Sequence, residues 1–377
     1  MPLSASLRVP RRFAPRNDEE RKTMTPTTHI LPIPNSIGEK GTHSIAVYDW
    51  GNPNAQRVVM CVHGLTRNAR DFDFIAQQLA ATGRRVLAVS MAGRGESAWL
   101  TDPMGYNYAS YVADCLAVLD NFHIRDVEWI GTSMGGIVGM MLAASNPKRI
   151  KKLVLNDIGA LLSKEALARI YDYVRTMPTQ FETRAEAESY LRNAFAPWGI
   201  VPVPCSPLEG EPKPTGVLVG GEADPQTPTS KYTALFPPPN PKTDLAPPQG
   251  GSRSVETIWQ RFVETSLITR EGSLRYACDP AIAVPLAVGS KNFTEVSDVD
   301  LRPIWNQLQT PTLVIRGANS DILSDETVKA MRATNLNAES LTYPNVGHAP
   351  ALMTDADTKP ILNWLDRTLG DLMAVSF

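Results

Sequence analysis

The segment Gly131-Thr132-Ser133-Met134-Gly135 sets one serine between two glycines. It directly follows the apolar run Val127-Glu128-Trp129-Ile130 and directly precedes Gly136 to Ala144, which reads as a buried helix. A serine on a sharp strand-to-helix turn has its hydroxyl lifted above the sheet edge. Its strained backbone brings neighbouring main chain too close for a Cβ, so Gly131 and Gly135 are steric requirements. The amides of the helix that begins there face the same spot, where they would stabilise negative charge on a substrate oxygen. Ser133 is the candidate nucleophile.

A serine hydroxyl attacks well only when a base removes its proton, usually an imidazole oriented by a carboxylate. The chain has five histidines. His29, in a Pro- and Thr-rich stretch, and His43, in a polar turn, read as surface residues. His123 falls at the end of a helical stretch, where a histidine has a structural explanation. His63 follows the strand Val58 to Val62 and precedes Gly64, which suits fixing a loop. His348 follows a strand, Ser340 to Tyr343, and the loop Pro344-Asn345-Val346-Gly347, whose glycine frees the backbone to aim the ring. It is the candidate base.

The orienting acid should leave another strand end between these two residues. Pro311 to Gly317 is such a strand, and Ala318-Asn319-Ser320-Asp321 is the loop that leaves it, so Asp321 is the preferred third member. Asp157, at the end of the strand Lys152 to Asn156, competes with it. Asp157 opens into a long insertion and could instead cap a helix, whereas Asp325 and Glu326 read as first-turn helix residues after Ser324.

The order Ser133, Asp321, His348 resembles the alpha/beta hydrolase family, in its cap-bearing esterase and lipase branch. The resemblance runs from about His43 to the C-terminus and rests on His63-Gly64, the Ser133 turn, Gly93-Arg94-Gly95-Glu96-Ser97, the Asp321 loop and Gly347-His348. It implies that the backbone amides of Leu65 and Met134 form the oxyanion hole, with His63, Gly64, Gly131 and Gly135 supporting the loops. Some members of the fold place their acid at the position of Asp157. Ser90 stands where many relatives have aspartate, which should alter loop packing more than the reaction. Arg67 and Arg94 lie near the same sheet edge, where they would tie loops together more readily than hold a substrate carboxylate.

Positioning these groups requires an α/β architecture. Strands are expected at 44–49, 58–62, 86–90, 127–130, 152–156, 312–315 and 340–343, mostly apolar runs of the kind buried on both faces. Helical patterns at 70–81, 108–122, 134–145, 326–333 and 358–369 alternate with them. This predicts a mostly parallel central sheet with helices on both faces and active groups at the strands' carboxyl ends. The hydrolase core is expected at 29–159 and 296–377, after a disordered N-terminal extension at 1–28. Residues 160–295 read as a helical cap, with amphipathic candidates at 163–177, 184–195 and 254–268. Within it, about 201–253 is a Pro/Gly-rich insertion that cannot bury enough apolar area to offset its ordering entropy.

The 377 residues, 43% hydrophobic and 20% charged, with 37 basic against 39 acidic side chains, fit an ordinary globular enzyme. Neither nucleic acid nor an anionic membrane is suggested as a partner, no apolar stretch approaches a membrane span, and oligomeric state is open. Four scattered cysteines show no metal or redox spacing, and a reduced cytoplasmic protein is expected. The N-terminus carries Arg8, Arg11, Arg12 and Arg16 without a secretory apolar core; an organelle transit peptide and a start at Met24 are alternatives to a plain extension.

The expected chemistry is hydrolysis of an ester-type bond in a small-molecule substrate through an acyl-enzyme on Ser133, without cofactor or metal. A serine at the turn argues against the aspartate nucleophiles of haloalkane dehalogenases and epoxide hydrolases. Carbon-carbon bond hydrolases, perhydrolases and acyltransferases keep the serine arrangement and stay open. An alternative of another class is a ligand-binding receptor that retained the fold without catalysis.

Overall fold

A computed structural model describes residues 24–35, 41–195, 255–287 and 297–374. The insertion at 201–253 and the first part of the N-terminal extension lie outside the described residues.

The amino half of the core comprises β1 (Thr27–Pro34), β2 (Thr42–Trp50), β3 (Val58–Val62), α1 (Asp73–Ala81), β4 (Arg85–Ser90), α2 (Tyr108–Asn121), β5 (Val127–Thr132), α3 (Met134–Ser145) and β6 (Ile150–Asn156). Between β6 and the next sheet strand lie β7 (Leu161–Leu162), α4 (Lys164–Arg175), α5 (Arg184–Phe195), α6 (Val255–Ser266), β8 (Leu267–Arg270), β9 (Ser273–Tyr276) and α7 (Ala283–Ala287), in the stretch expected as a cap. β10 (Val299–Asp300) and α8 (Arg302–Trp305) lead back to β11 (Thr312–Gly317), α9 (Asp325–Thr334), β12 (Ala338–Tyr343), α10 (Asp355–Asp366) and α11 (Leu369–Ala374).

Eight strands form one sheet in the order β1-β2-β4-β3-β5-β6-β11-β12. The β1–β2 and β2–β4 pairs are antiparallel, and every other pair is parallel. Side-chain alternation divides each central strand between two cores. In β3, Val58, Met60 and Val62 join the layer with α2, α3 and α4 to α6, while Val59 and Cys61 join the layer with α1 and α10. Burial on both faces is why these strands read as continuous apolar runs.

The expected strands and helices match the main observed ones closely, while the short β7, β10, α7, α8 and α11 were not expected and three differences bear on the fold. β1 begins at Thr27, inside the stretch assigned to a disordered extension. Its Pro32 and Pro34 conceal it in the sequence, yet they are tolerated because β1 is an edge strand. The helix expected at 254–268 stops at Ser266, and a β8–β9 hairpin follows, turning at Glu271 (φ 52) and Gly272 (φ 76). The stretch expected as one helix at 70–81 opens with a 3-10 turn, Ala69–Phe72, capped by the Asn68 side chain.

Two histidines also depart from a surface role. His43 lies in β2 with its side chain 9% exposed and 3.2 Å from Asp114 of α2. His29, half-buried in β1, lies 3.5 Å from Asp49. His123 occupies a left-handed position (φ 55) just past α2, as a helix end favours.

Candidate active site

Ser133 joins β5 to α3 with φ 50 and ψ −113, a conformation costly for a residue with a side chain. Its glycine neighbours explain how the turn fits. A Cβ at Gly131 would lie 2.3 Å from the Gly135 carbonyl oxygen, and one at Gly135 would lie 2.0 Å from that of Val62. The Trp129 indole, fully buried, donates to the Gly135 carbonyl at 3.0 Å and anchors the turn from below.

His348, on the loop after β12, brings its Nε2 within 3.0 Å of Ser133 Oγ. Its Nδ1 lies 2.7 Å from Asp157 Oδ2. A carboxylate oxygen accepts, so Nδ1 carries the proton and Nε2 is left to accept from the serine. The left-handed residue of this loop is Asn345 (φ 59) rather than Gly347. The glycine needed for close approach is Gly317, where a Cβ would lie 2.2 Å from the Gly347 carbonyl oxygen.

The acid against the imidazole is therefore Asp157, and the expectation for Asp321 is corrected. Asp157 leaves β6 fully buried, in a left-handed conformation (φ 56). The loop after β11, expected to supply the acid, supplies its hydrogen-bond donors instead. Gly317 N–H donates to Asp157 Oδ1 at 2.8 Å and the Ser320 hydroxyl donates to Oδ2 at 2.5 Å. The Ile322 and Leu323 amides donate to Ser320 Oγ and hold it in place. Asp321, one residue later, points away to an ion pair with Arg169 of α4 at 2.6 Å, its own side chain 52% exposed. Asp157 does not cap the helix that follows: Ser163 caps α4.

Asn156 and Ser320 complete the site without belonging to the expected set. The Asn156 amide donates to Thr132 Oγ1 at 3.0 Å and to the Pro350 carbonyl at 2.9 Å, joining the serine strand to the histidine loop. Its signal in the sequence is a polar residue at the end of an otherwise buried strand. Ser320 had no signal separable from that of a loop hydroxyl.

His63 is fully buried. Its Nδ1 donates to the Gly64 carbonyl at 2.7 Å and its Nε2 accepts from the Met91 amide at 3.0 Å, pinning the loop after β3 to the end of β4. Burial, reinforced by the Arg94 and Arg67 charges, pushes its pKa down to about 3. Ser90 also serves packing, its hydroxyl accepting from the Ala69 amide at 3.1 Å. Among the described residues, the amides of Leu65 and Met134 have no hydrogen-bond acceptor. Met134 stands at the first position of α3, where such amides are regularly left open.

These groups border a pocket with about 750 Å³ of empty space, part of it open to solvent. Phe72, Ile170, Phe195, Phe262, Leu352 and Met353 make its walls largely apolar. Arg67 reaches it with its charge already paired: the guanidinium makes two bonds to Asp71, at 2.9 and 2.5 Å, and its carbon lies 3.6 Å from the Phe262 ring centroid. Most aromatics of α4 to α6 pack on one another, as in the edge-on Phe195–Phe262 contact at 4.9 Å. Among the described residues, no cluster of three or more His, Cys, Asp or Glu side chains is placed to hold a metal, and no helix is long and apolar enough to cross a bilayer.

The alpha/beta hydrolase fold profile matches residues 57–195. A 3-hydroxybutyrate-oligomer hydrolase from Cupriavidus necator is 32% identical over 320 residues, covering 85% of this chain and 92% of that protein. The chain belongs to the alpha/beta hydrolase family. Lipase LipV of Mycobacterium tuberculosis is 28% identical over 152 residues, 40% of this chain and 55% of the lipase. Among solved structures, an alpha/beta hydrolase from Novosphingobium aromaticivorans superposes with a TM-score of 0.67 at 29% identity, covering 91% of this chain and 99% of its own.

Proposed function

We propose that this alpha/beta hydrolase is a serine ester hydrolase that works through an acyl-enzyme on Ser133. The observation that carries the reading is the unbroken chain from Ser133 Oγ through the His348 ring to Asp157, opening on an apolar pocket. His348 Nε2 takes the hydroxyl proton as Ser133 attacks the ester carbonyl, and Asp157, in place of Asp321, holds the ring and faces the imidazolium. The oxyanion is received by the Leu65 and Met134 amides, each worth about 10²–10³ in rate if it behaves as such donors do elsewhere. His348 then protonates the leaving alcohol and later activates the water that releases the acid.

We take short linear esters of hydroxy acids, such as 3-hydroxybutyrate oligomers, as the substrate class. The extent of similarity to the Cupriavidus necator oligomer hydrolase supports this. So does a pocket whose wall arginine is neutralised by Asp71, which suits an uncharged ester segment better than a free carboxylate. A fluorophosphonate probe should label the native protein and fail to label Ser133→Ala. The native protein should also release acid from a 3-hydroxybutyrate trimer. Absence of labelling and of turnover on both the trimer and a graded series of nitrophenyl esters would favour the non-catalytic receptor.

A further inference from the structure

Arg94 is completely buried, and among the described residues no carboxylate lies within ion-pair distance of it. This contrasts with Arg67, whose charge is matched by Asp71. A buried cation with no counter-ion is costly, and its retention calls for a task that the charge or the fork performs. Its donors identify that task. Nε donates to the Leu65 carbonyl at 2.9 Å, Nη1 to the Ala92 carbonyl and the Tyr111 hydroxyl at 2.7 Å each, and Nη2 lies 3.6 Å from Met134 Sδ. One guanidinium thus touches both residues whose amides are assigned to the oxyanion hole.

We propose that Arg94 is a positioning residue for the oxyanion hole: its fork fixes the Leu65 peptide and backs Met134, while its uncompensated charge favours the anion formed in front of them. The inference rests on the hydrolase reading above. The Leu65 carbonyl lies in the peptide after Leu65 and its N–H in the peptide before it. Holding the carbonyl on the guanidinium side therefore fixes the residue's Cα and limits rotation of the preceding peptide, which keeps the Leu65 N–H available to substrate. A preorganised donor that need not rearrange during the reaction is what makes such holes effective. Arg94 itself is held by the cap. Gly95 N–H donates to the Ala277 carbonyl at 2.8 Å, Asp279 N–H donates to the Gly93 carbonyl at 2.7 Å, and the Tyr106 hydroxyl donates to Asp279 at 2.5 Å. The stretch that returns from the β8–β9 hairpin is therefore bonded on both sides of the arginine.

The test compares Arg94→Met and Arg94→Lys with the native protein by steady-state kinetics and by inhibition with phenylboronic acid. The boronate adds to a reactive serine as a tetrahedral anion and so reads the hole directly. For Arg94→Met, kcat should fall by about 30-fold or more and the boronate inhibition constant should rise about tenfold or more, with KM within about threefold of native. Arg94→Lys, which keeps the charge without the fork, should recover part of the loss and supplies the same readout where the methionine variant does not fold. Boronate affinity and kcat within twofold of native in a folded variant would overturn the proposal. So would a rise in KM that accounts for the whole loss. No Ser133-dependent turnover in the native protein would instead remove the hydrolase reading itself, and this proposal with it.

Discussion

At the scale of residues, the choice of acid is the sharpest consequence of the structure. Asp157 and Asp321 leave neighbouring parallel strands, and the Asp157 amide donates to Ile315 of β11 at 2.8 Å, so both lie at one corner of the sheet. They differ in surroundings. Asp157 is buried with three hydrogen-bond partners, one of them the imidazole, whereas Asp321 is half in solvent on an arginine. Asp157→Asn should lower kcat by about 10³–10⁴, because an amide at that place no longer enforces the tautomer that leaves Nε2 free. Asp321→Asn should leave kcat within a few-fold, since exposed ion pairs contribute about 1 kcal/mol or less. Single-turnover acylation of both variants checks this, and the reverse ranking would restore Asp321. The serine and the histidine were legible because glycine spacing and chain order mark them. The acid was not, because both candidates follow the ends of adjacent strands and only the contact between β6 and β11 decides which one the ring meets.

At the scale of elements, strands and helices were legible wherever burial imposes a period, as in β3, α3 and α5, whose bounds coincide with those expected. β1 was not, since its two prolines read as loop unless its edge position is known, and the β8–β9 hairpin is too short for its alternation to stand out. The loop after β3 is held by His63, a neutral buried ring donating to Gly64 and accepting from Met91. This makes a pH-dependent prediction. Its folded pKa of about 3 lies below the ordinary histidine value of about 6.5, so the unfolded chain binds the extra proton first. Stability should hold above pH 6.5 and fall as pH drops toward 3, by about 1.4 kcal/mol per pH unit from this group. Between pH 6.5, where the slope is half-developed, and pH 5 that is about 1.6 kcal/mol. Denaturant melts of native protein and His63→Gln should show the variant less stable at neutral pH but with a shallower acid slope. Parallel slopes would mean that the ring does not stay neutral in the fold.

At the scale of the whole molecule, the two ends of the sheet carry different duties. Ser133, Asp157 and His348 gather at the carboxyl ends of the strands, as in other open α/β sheets. The opposite end is stitched by charges around Glu128 of β5. It accepts from Arg57 at 2.6 Å and from the buried Arg84 at 3.0 Å, while Lys152 and Arg57 donate to the Leu365 carbonyl at the end of α10. Ser133 lies five positions beyond Glu128, a rise of about 16 Å at the usual 3.3 Å per residue, and the Glu128 charge is already matched by Arg57 and Arg84, so it acts little on the serine. Glu128→Gln keeps the shape and removes the charge, leaving the half-exposed Asp366 as the remaining carboxylate on Arg84 among the described residues. Breaking one partner from a buried pair costs about 3 kcal/mol or more, so the variant should melt well below the native protein. Its kcat per folded molecule should nonetheless be unchanged at temperatures below that transition. If kcat falls together with stability, then the two ends of the sheet are coupled, and the rigid strands between them transmit strain to the Ser133 turn.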